Sequence, residues 1–300
     1  MKKGLLVICI ALACECLYAQ NTSITDSSVI EPWRQSQLKE SLANVPKGKR
    51  KSAAYQFLKV ADDTIINLLG RTVILNKDGF IKQVQTFFKP DMTGYNDEPA
   101  NLLYEGIHFH FTKKSDGKNI DIKSTGVHFT LKTDAEVQWE STGTSDVLQV
   151  ETEASLLSNG AASFQVKVTA LQDMLFKDIV LHIPFQKNMA TYLMGLGQKG
   201  GPRPELVEWK WGGEAQTEAT AWIGNTNAGL QFLLQDEKPS SGGLAGWDNT
   251  NKGGITVGIK GSSMLVNAYN GERSLQKGDV LYYNYALFIT PFHTLNTGSK

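Results

Sequence analysis

The chain has 300 residues with 30 basic and 30 acidic side chains, and 41% of its residues are hydrophobic. A zero formal charge with no strong basic patch argues against a nucleic-acid partner, and no segment beyond the N-terminus is apolar for long enough to span a bilayer. A chain of this length can bury a sizeable core without disulfide staples. Its three cysteines, Cys9, Cys14 and Cys16, all lie near the start, which excludes thiol catalysis and cysteine metal sites from the remainder.

Residues 1–19 read as a bacterial Sec signal peptide. Lys2 and Lys3 precede an apolar run from Gly4 to Ala13, and Leu17-Tyr18-Ala19 before Gln20 fits cleavage after Ala19. This predicts an exported chain, periplasmic or extracellular. Lipid anchoring at Cys14 or Cys16 is the alternative, on a weaker sequence match. Without Lys2, Lys3 and Glu15, 28 basic and 29 acidic side chains remain, a net of −1.

Residues 20–52 form a polar lead-in. Trp33 to Val45 could hold one short helix, with Trp33, Leu38, Leu42 and Val45 loosely on one side, and the basic run 47–51 reads as a solvated linker.

From residue 53 to 300 helical periodicity nearly vanishes. Short β-branched and aromatic runs recur between Gly, Asn and Asp. Asn76-Lys77-Asp78-Gly79 is a predicted hairpin turn between Thr72–Leu75 and Phe80–Phe88. Ser115-Asp116-Gly117-Lys118 is a second, after the alternating Ile107, Phe109 and Phe111 and before Ile120 and Ile122. Further strands are predicted at 127–132, 147–155, 162–171, 176–185, 220–224, 229–234, 255–260, 263–269 and 280–290. The fold class is all-β: one large antiparallel β-sandwich or two packed ones, between which periodicity does not choose.

The titratable residues give no catalytic set. His108 and His110 share a strand face and His128 lies on a nearby strand, but zinc needs three or four ligands and no carboxylate is clearly placed to help. These histidines read as solvent-facing and His182, before Pro184, as a satisfied near-core residue. No metal or cofactor is expected. The neighbours Asp62-Asp63 and Asp97-Glu98 point to opposite faces on a strand, Asp236-Glu237 reads as a solvated turn, and the Gly-x-Ser-x-Gly pattern is missing.

Residues 189–234 are rich in glycine and tryptophan. Gly195 to Gly201 lacks the Lys-Ser/Thr of a phosphate loop. Trp209 and Trp211 would share a strand face, as a flat sugar-stacking platform if that face is open or as packing if it is not. Arg203, between Pro202 and Pro204, could fork onto a carboxylate or a carbonyl.

The order Gly-Leu-Gly-x-Lys-Gly-Gly-x-Arg-Pro (195–204), Trp-Lys-Trp (209–211) and Trp-Ile-Gly-Asn-x-Asn-Ala-Gly-Leu-Gln (222–231) resembles the N-terminal domain of proteins similar to glycoside hydrolase family 123. Asp178 to Pro184 and Phe288-Ile-Thr-Pro291 fit the same pattern. The resemblance implies a β-sandwich ahead of a (β/α)-barrel that cleaves β-N-acetylgalactosaminides using the substrate's own acetamido group. A barrel needs about 250 residues and this chain stops near where one would begin, so no catalytic residue is carried over. The expectation is a non-catalytic module. Its partner is a glycan substrate or a C-terminal catalytic barrel domain, and Arg203, Trp209, Trp211, Trp222, Asn225 and Asn227 supply a carbohydrate or interdomain surface. The alternatives are a free-standing carbohydrate-binding protein and a sandwich-fold carbohydrate enzyme.

Overall fold

Alternation of buried and exposed side chains builds most of this molecule. In the computed structural model, residues 57–213, 218–236 and 242–295 are described. The predicted signal peptide, lead-in helix and basic run lie outside them. Twenty-one strands account for the described fold, with a single 3-10 turn at Lys187–Met189 and no α-helix among the described residues.

Three sheets form. The first is a meander of β1 (Lys59–Asp62), β2 (Ile65–Leu68), β3 (Arg71–Leu75), β4 (Ile81–Phe88) and β5 (Tyr95–Asn101). The second runs β13 (Gln198–Pro202), β12 (Tyr192–Gly195), β15 (Thr220–Gly224), β16 (Gly229–Gln235), β21 (Val280–Thr290), β10 (Ala161–Ala170), β9 (Leu148–Leu157), β8 (Glu136–Thr144) and β7 (Lys123–Lys132). A two-residue β17 (Leu244–Ala245) pairs parallel to β21, and every other named pair is antiparallel. The third runs β14 (Leu206–Lys210), β18 (Gly254–Lys260), β19 (Ser263–Tyr269), β11 (Met174–Gln186) and β20 (Arg273–Leu275), with β6 (His108–Lys113) also paired to β11.

Period-two patterning sends one face of each strand inward. In β10 the buried set is Ala162, Phe164, Val166, Val168 and Ala170. In β21 it includes Leu281, Tyr283, Tyr285, Leu287 and Ile289. Each fully buried Val, Leu, Ile or Phe adds about 1.5–3 kcal/mol. One continuous core draws on all three sheets, through Val73 and Val84, Val166 and Leu287, and Ile183 and Val266. The choice left open by periodicity is therefore settled for a single core rather than two.

Polar side chains lock the sheets together. The Asn76–Gly79 turn forms as the sequence predicts: Gly79 takes φ 81°, and Asn76 Oδ1 accepts from the Asp78 and Phe80 amides. Trp139 on β8 donates its indole N–H to Gly79 O at 2.8 Å, and Ser141 donates to Lys77 O at 2.7 Å, so the turn seats on the second sheet. The turn at Ser115–Lys118 forms too, with Gly117 at φ 68°, but its predicted return strand through Ile120 and Ile122 does not. Only an isolated bridge joins Thr112 to Asn119. The Asn119 side chain accepts the Phe111 amide at 2.7 Å and so competes with a strand acceptor.

Candidate functional site

Histidines assemble where β6 meets β11. The register places His182 opposite His108 and Val180 opposite His110. Phe109, Phe111, Leu181 and Ile183 point into the core, so alternation turns His108, His110 and His182 to the other face of the sheet. On that face a polar row crosses five strands, since Glu208, Thr256, Asn267, His182 and His108 are successive cross-strand partners.

The three rings form a closed triangle. Ring centroids lie 4.8 Å apart for His108 and His110, 5.0 Å for His108 and His182, and 4.5 Å for His110 and His182. The sequence expectation of solvent-facing histidines is corrected for His108 and His110. Both are half-buried, because the neighbouring strand supplies a third imidazole on which they pack. His128, on β7 opposite Glu140, takes no part.

Second-layer hydrogen bonds fix two of the rings. His108 Nδ1 lies 2.7 Å from Gly106 O, a contact that requires a proton on Nδ1. Asn267 Nδ2 donates to Thr256 Oγ1, which turns Asn267 Oδ1 to His182 Nδ1 at 2.6 Å. His182 Nδ1 therefore carries the proton, and its Nε2 lone pair faces His110 Nδ1 at 3.1 Å. Burial, then His110 and His108, lowers the His182 pKa to about 4. Burial likewise lowers that of His110, helped by His108 and Lys260 and opposed by Glu105. Both rings are neutral at pH 7, with lone pairs available. Beside His108, a cavity of about 50 Å³ is lined by Asp78, Phe80, Ile122 and Ser124, far below the roughly 300 Å³ of small-ligand pockets.

The residues singled out in the glycine- and tryptophan-rich stretch are not gathered at one point. Trp209 and Trp211 do share a face and pack on the core, half-buried. Their rings stand edge to face at 78° with centroids 4.9 Å apart, so the coplanar platform is not formed. Arg203 forks onto main-chain oxygens: Nε donates to Ala190 O at 3.0 Å and Nη1 to Pro204 O at 2.7 Å, which ties the end of β13 to the 3-10 turn. Trp222 lies across its own hairpin. A Cβ at Gly229 would fall within 2.5 Å of its ring, and its indole N–H donates to Thr290 Oγ1 at 2.8 Å. The glycines of this motif thus make room for the indole.

Asn225 closes the β15–β16 turn, its Oδ1 accepting the Asn227 and Ala228 amides. Asn227 clips that turn to the first sheet: Nδ2 donates to Phe88 O at 2.6 Å, and its own carbonyl accepts from Thr86 Oγ1. Asn227→Ala is expected to lower unfolding stability by about 1–2 kcal/mol, read as an earlier urea midpoint at unchanged slope. An unaltered midpoint would deny the clip. Much of β13 and β14 is exposed; Leu206, on β14 opposite Gly258, is 59% exposed.

The paired carboxylates offer no cleft. Asp62, Asp63, Asp97 and Glu98 are exposed, and Asp236 accepts the Trp247 amide at 2.7 Å, while Glu237 lies outside the described residues. No helix among the described residues is long and apolar enough to cross a membrane.

The family described as glycoside hydrolase 123, third domain, matches residues 58–291. The motifs had pointed to the N-terminal domain of such proteins; the match is to a third domain. No curated protein matches the chain. Among solved structures, the chain is similar to a galactose mutarotase related enzyme from Lactobacillus acidophilus, at 7% identity and TM-score 0.41. That alignment covers 79% of this chain and 98% of the other. It is also similar to an aldose epimerase homologue from C. elegans at 7% identity and TM-score 0.45, covering 80% and 99%.

Proposed function

Because this chain belongs to the glycoside hydrolase 123 third-domain family, we propose that it is an exported, non-catalytic sandwich module supporting glycan hydrolysis by a separate barrel domain. The observation that carries this reading is the family match across nearly the whole described fold. Two features of the molecule support it. No carboxylate pair of the kind that flanks a glycosidic bond is brought together from Asp62, Asp63, Asp97, Glu98 and Asp236. The terminal strand β14 of the third sheet exposes Leu206 at 59%, an apolar contact on which another domain could pack. The substrate class is N-acetylgalactosaminide-type glycans, after the motif resemblance.

The test pairs size with activity. An antibody to this chain is expected to detect, in the source cells, a species or stable complex larger by about a barrel's 250 residues. The purified chain is expected to leave p-nitrophenyl N-acetyl-β-galactosaminide intact. Hydrolysis by the chain alone would reject the non-catalytic role. Saturable glycan binding by a native species no larger than the chain would favour a free-standing binding protein instead.

A further inference from the structure

We propose that His108, His110 and His182 form a binding site for a divalent transition-metal ion, with Zn2+ the best match to three imidazoles on one face of a sheet. The inference is independent of the module reading. Its basis is convergence: one ring nitrogen from each histidine, all within 4.8 Å of one another.

The donor geometry is close to what a metal needs. Zinc–nitrogen bonds of about 2.0–2.1 Å in a tetrahedral site set ligand nitrogens roughly 3.3 Å apart. His182 Nε2 and His110 Nδ1 already lie 3.1 Å apart. The widest separation in the group has to close by at most about 1.5 Å to reach the tetrahedral value, within reach of small side-chain rotations on fixed strands.

The outer layer is also of the kind metal ligands use. An imidazole that binds a metal through one nitrogen commonly donates its other N–H to a carbonyl or side-chain oxygen, which fixes the tautomer. His108 does this to Gly106 O, and His182 does it to Asn267 Oδ1, itself held by Thr256. In both rings Nε2 keeps its lone pair, that of His182 accepting from His110 Nδ1. His110 needs one change. The proton it shares with His182 Nε2 leaves His110 Nδ1 for its own Nε2, so the neutral ring keeps its proton count as the metal takes the vacated lone pair.

Charge sets the rest of the coordination. Three neutral imidazoles leave the ion's double charge uncompensated. The Lys260 ammonium opposes it, and the Glu105 carboxylate, which also acts on His110, favours it. A fourth position would therefore go to water, hydroxide or an anionic ligand, as in three-histidine zinc sites. Imidazole-only donors suit zinc, copper and nickel, and they suit magnesium and calcium poorly because those ions demand oxygen.

The experiment uses the full chain with Cys9, Cys14 and Cys16 replaced by serine, so that no thiolate competes, stripped with chelator and titrated calorimetrically with ZnCl2. About one tightly held ion per chain is expected, with CaCl2 and MgCl2 giving no heat of binding. With CoCl2, visible absorption bands of four-coordinate cobalt are expected. His110→Ala and His182→Ala should each weaken zinc at least tenfold, while His128→Ala leaves it unchanged. Asn267→Ala, which spares all three ligands, should weaken zinc roughly 10–100-fold through the lost orientation of His182. Far-UV circular dichroism identifies any variant that fails to fold, and His110→Ala, on a half-buried ring, is the variant to rely on if His182→Ala does. No zinc binding by the stripped chain would overturn the proposal, as would tight zinc binding that survives both histidine substitutions in folded protein.

Discussion

Arg71→Ala is expected to cost the fold about 3–5 kcal/mol, more than any single surface change. Arg71 opens β3 and is fully buried, yet it donates to main-chain oxygens. Nε donates to Leu69 O at 3.2 Å, and Nη1 donates to Asn159 O at 3.2 Å and Ile289 O at 2.6 Å. One side chain thus ties the first sheet to the β9–β10 turn and to strand β21 of the second. Gly160, at φ 97°, completes the arrangement, because a Cβ there would collide with the guanidinium and with Ile289 O.

Burial lowers the Arg71 pKa from 12.5 to about 10, with Tyr95 acting the other way. The charged form is held at a penalty of roughly 3 kcal/mol. Truncation to alanine relieves that penalty but leaves a cavity and strips donors from three carbonyls. Arg71→Met fills most of the volume and removes the charge, so its loss is expected to be smaller, about 1–3 kcal/mol. Arg71→Lys keeps a charge without the planar fork, and is expected to fall nearer alanine. Urea unfolding of the three variants gives the order. A lysine variant as stable as wild type would show that charge, not the fork, is what these carbonyls require.

Much of the fold was legible because it is written in period two. The strand at 280–290 forms with the bounds that its alternation predicts, while those at 220–224 and 263–269 form as predicted from apolar runs between turn residues and are buried on both faces over most of their length. Those that escaped notice lack that signal for physical reasons. β5 reads Tyr-Asn-Asp-Glu-Pro-Ala-Asn and pairs with β4 alone, so it has little to bury, and Pro99 is tolerated at an edge. β8 does alternate, but Ser141 and Gly143 stand at inward positions where apolar residues would have announced it. β13 is Gln-Lys-Gly-Gly-Pro, a strand defined by its neighbour rather than by its own propensity.

The histidine triangle was half legible. His108 and His110 on one strand face follow from spacing alone. His182 joins them only through the β6–β11 register, which spans 72 residues of sequence between His110 and His182. Asn267, which orients His182, carries no sequence signal of that role. In the tryptophan-rich stretch the reverse holds. The residue types suggested a surface, but Trp222 and Asn227 are mostly buried because Gly224 and Gly229 let the hairpin close tightly over the indole.

Alkaline pH is expected to unfold this protein through two tyrosines on β21. Tyr283 donates to Asn270 Oδ1 at 2.9 Å, and the Tyr285 hydroxyl has no hydrogen-bond partner among the described residues. Burial pushes both hydroxyls well above 10, and raises Tyr269 more weakly. Unfolded tyrosine ionises near pH 10. Above that pH the unfolded chain therefore binds fewer protons than the folded one, and stability falls as pH rises. Each buried tyrosine contributes about 1.4 kcal/mol per pH unit, so the pair contributes about 2.7. Arg71 acts with the opposite sign, since its lowered pKa makes the folded state release a proton first, but it offsets at most about 1.4 kcal/mol per unit. The net loss from these three groups is about 3 kcal/mol between pH 10 and 12. Tyr285→Phe is expected to match or exceed wild-type stability at pH 7, because it removes a buried hydroxyl, and to reduce the alkaline slope by one proton. Tyr283→Phe should reduce the slope equally but lose about 1 kcal/mol at pH 7 with its hydrogen bond. Guanidinium chloride unfolding from pH 7 to 11.5, with tyrosinate absorbance at 295 nm, measures both. A Tyr285→Phe variant with the wild-type alkaline slope would show that this hydroxyl ionises freely in the folded protein, and that the β21 tyrosines are not what sets its alkaline limit.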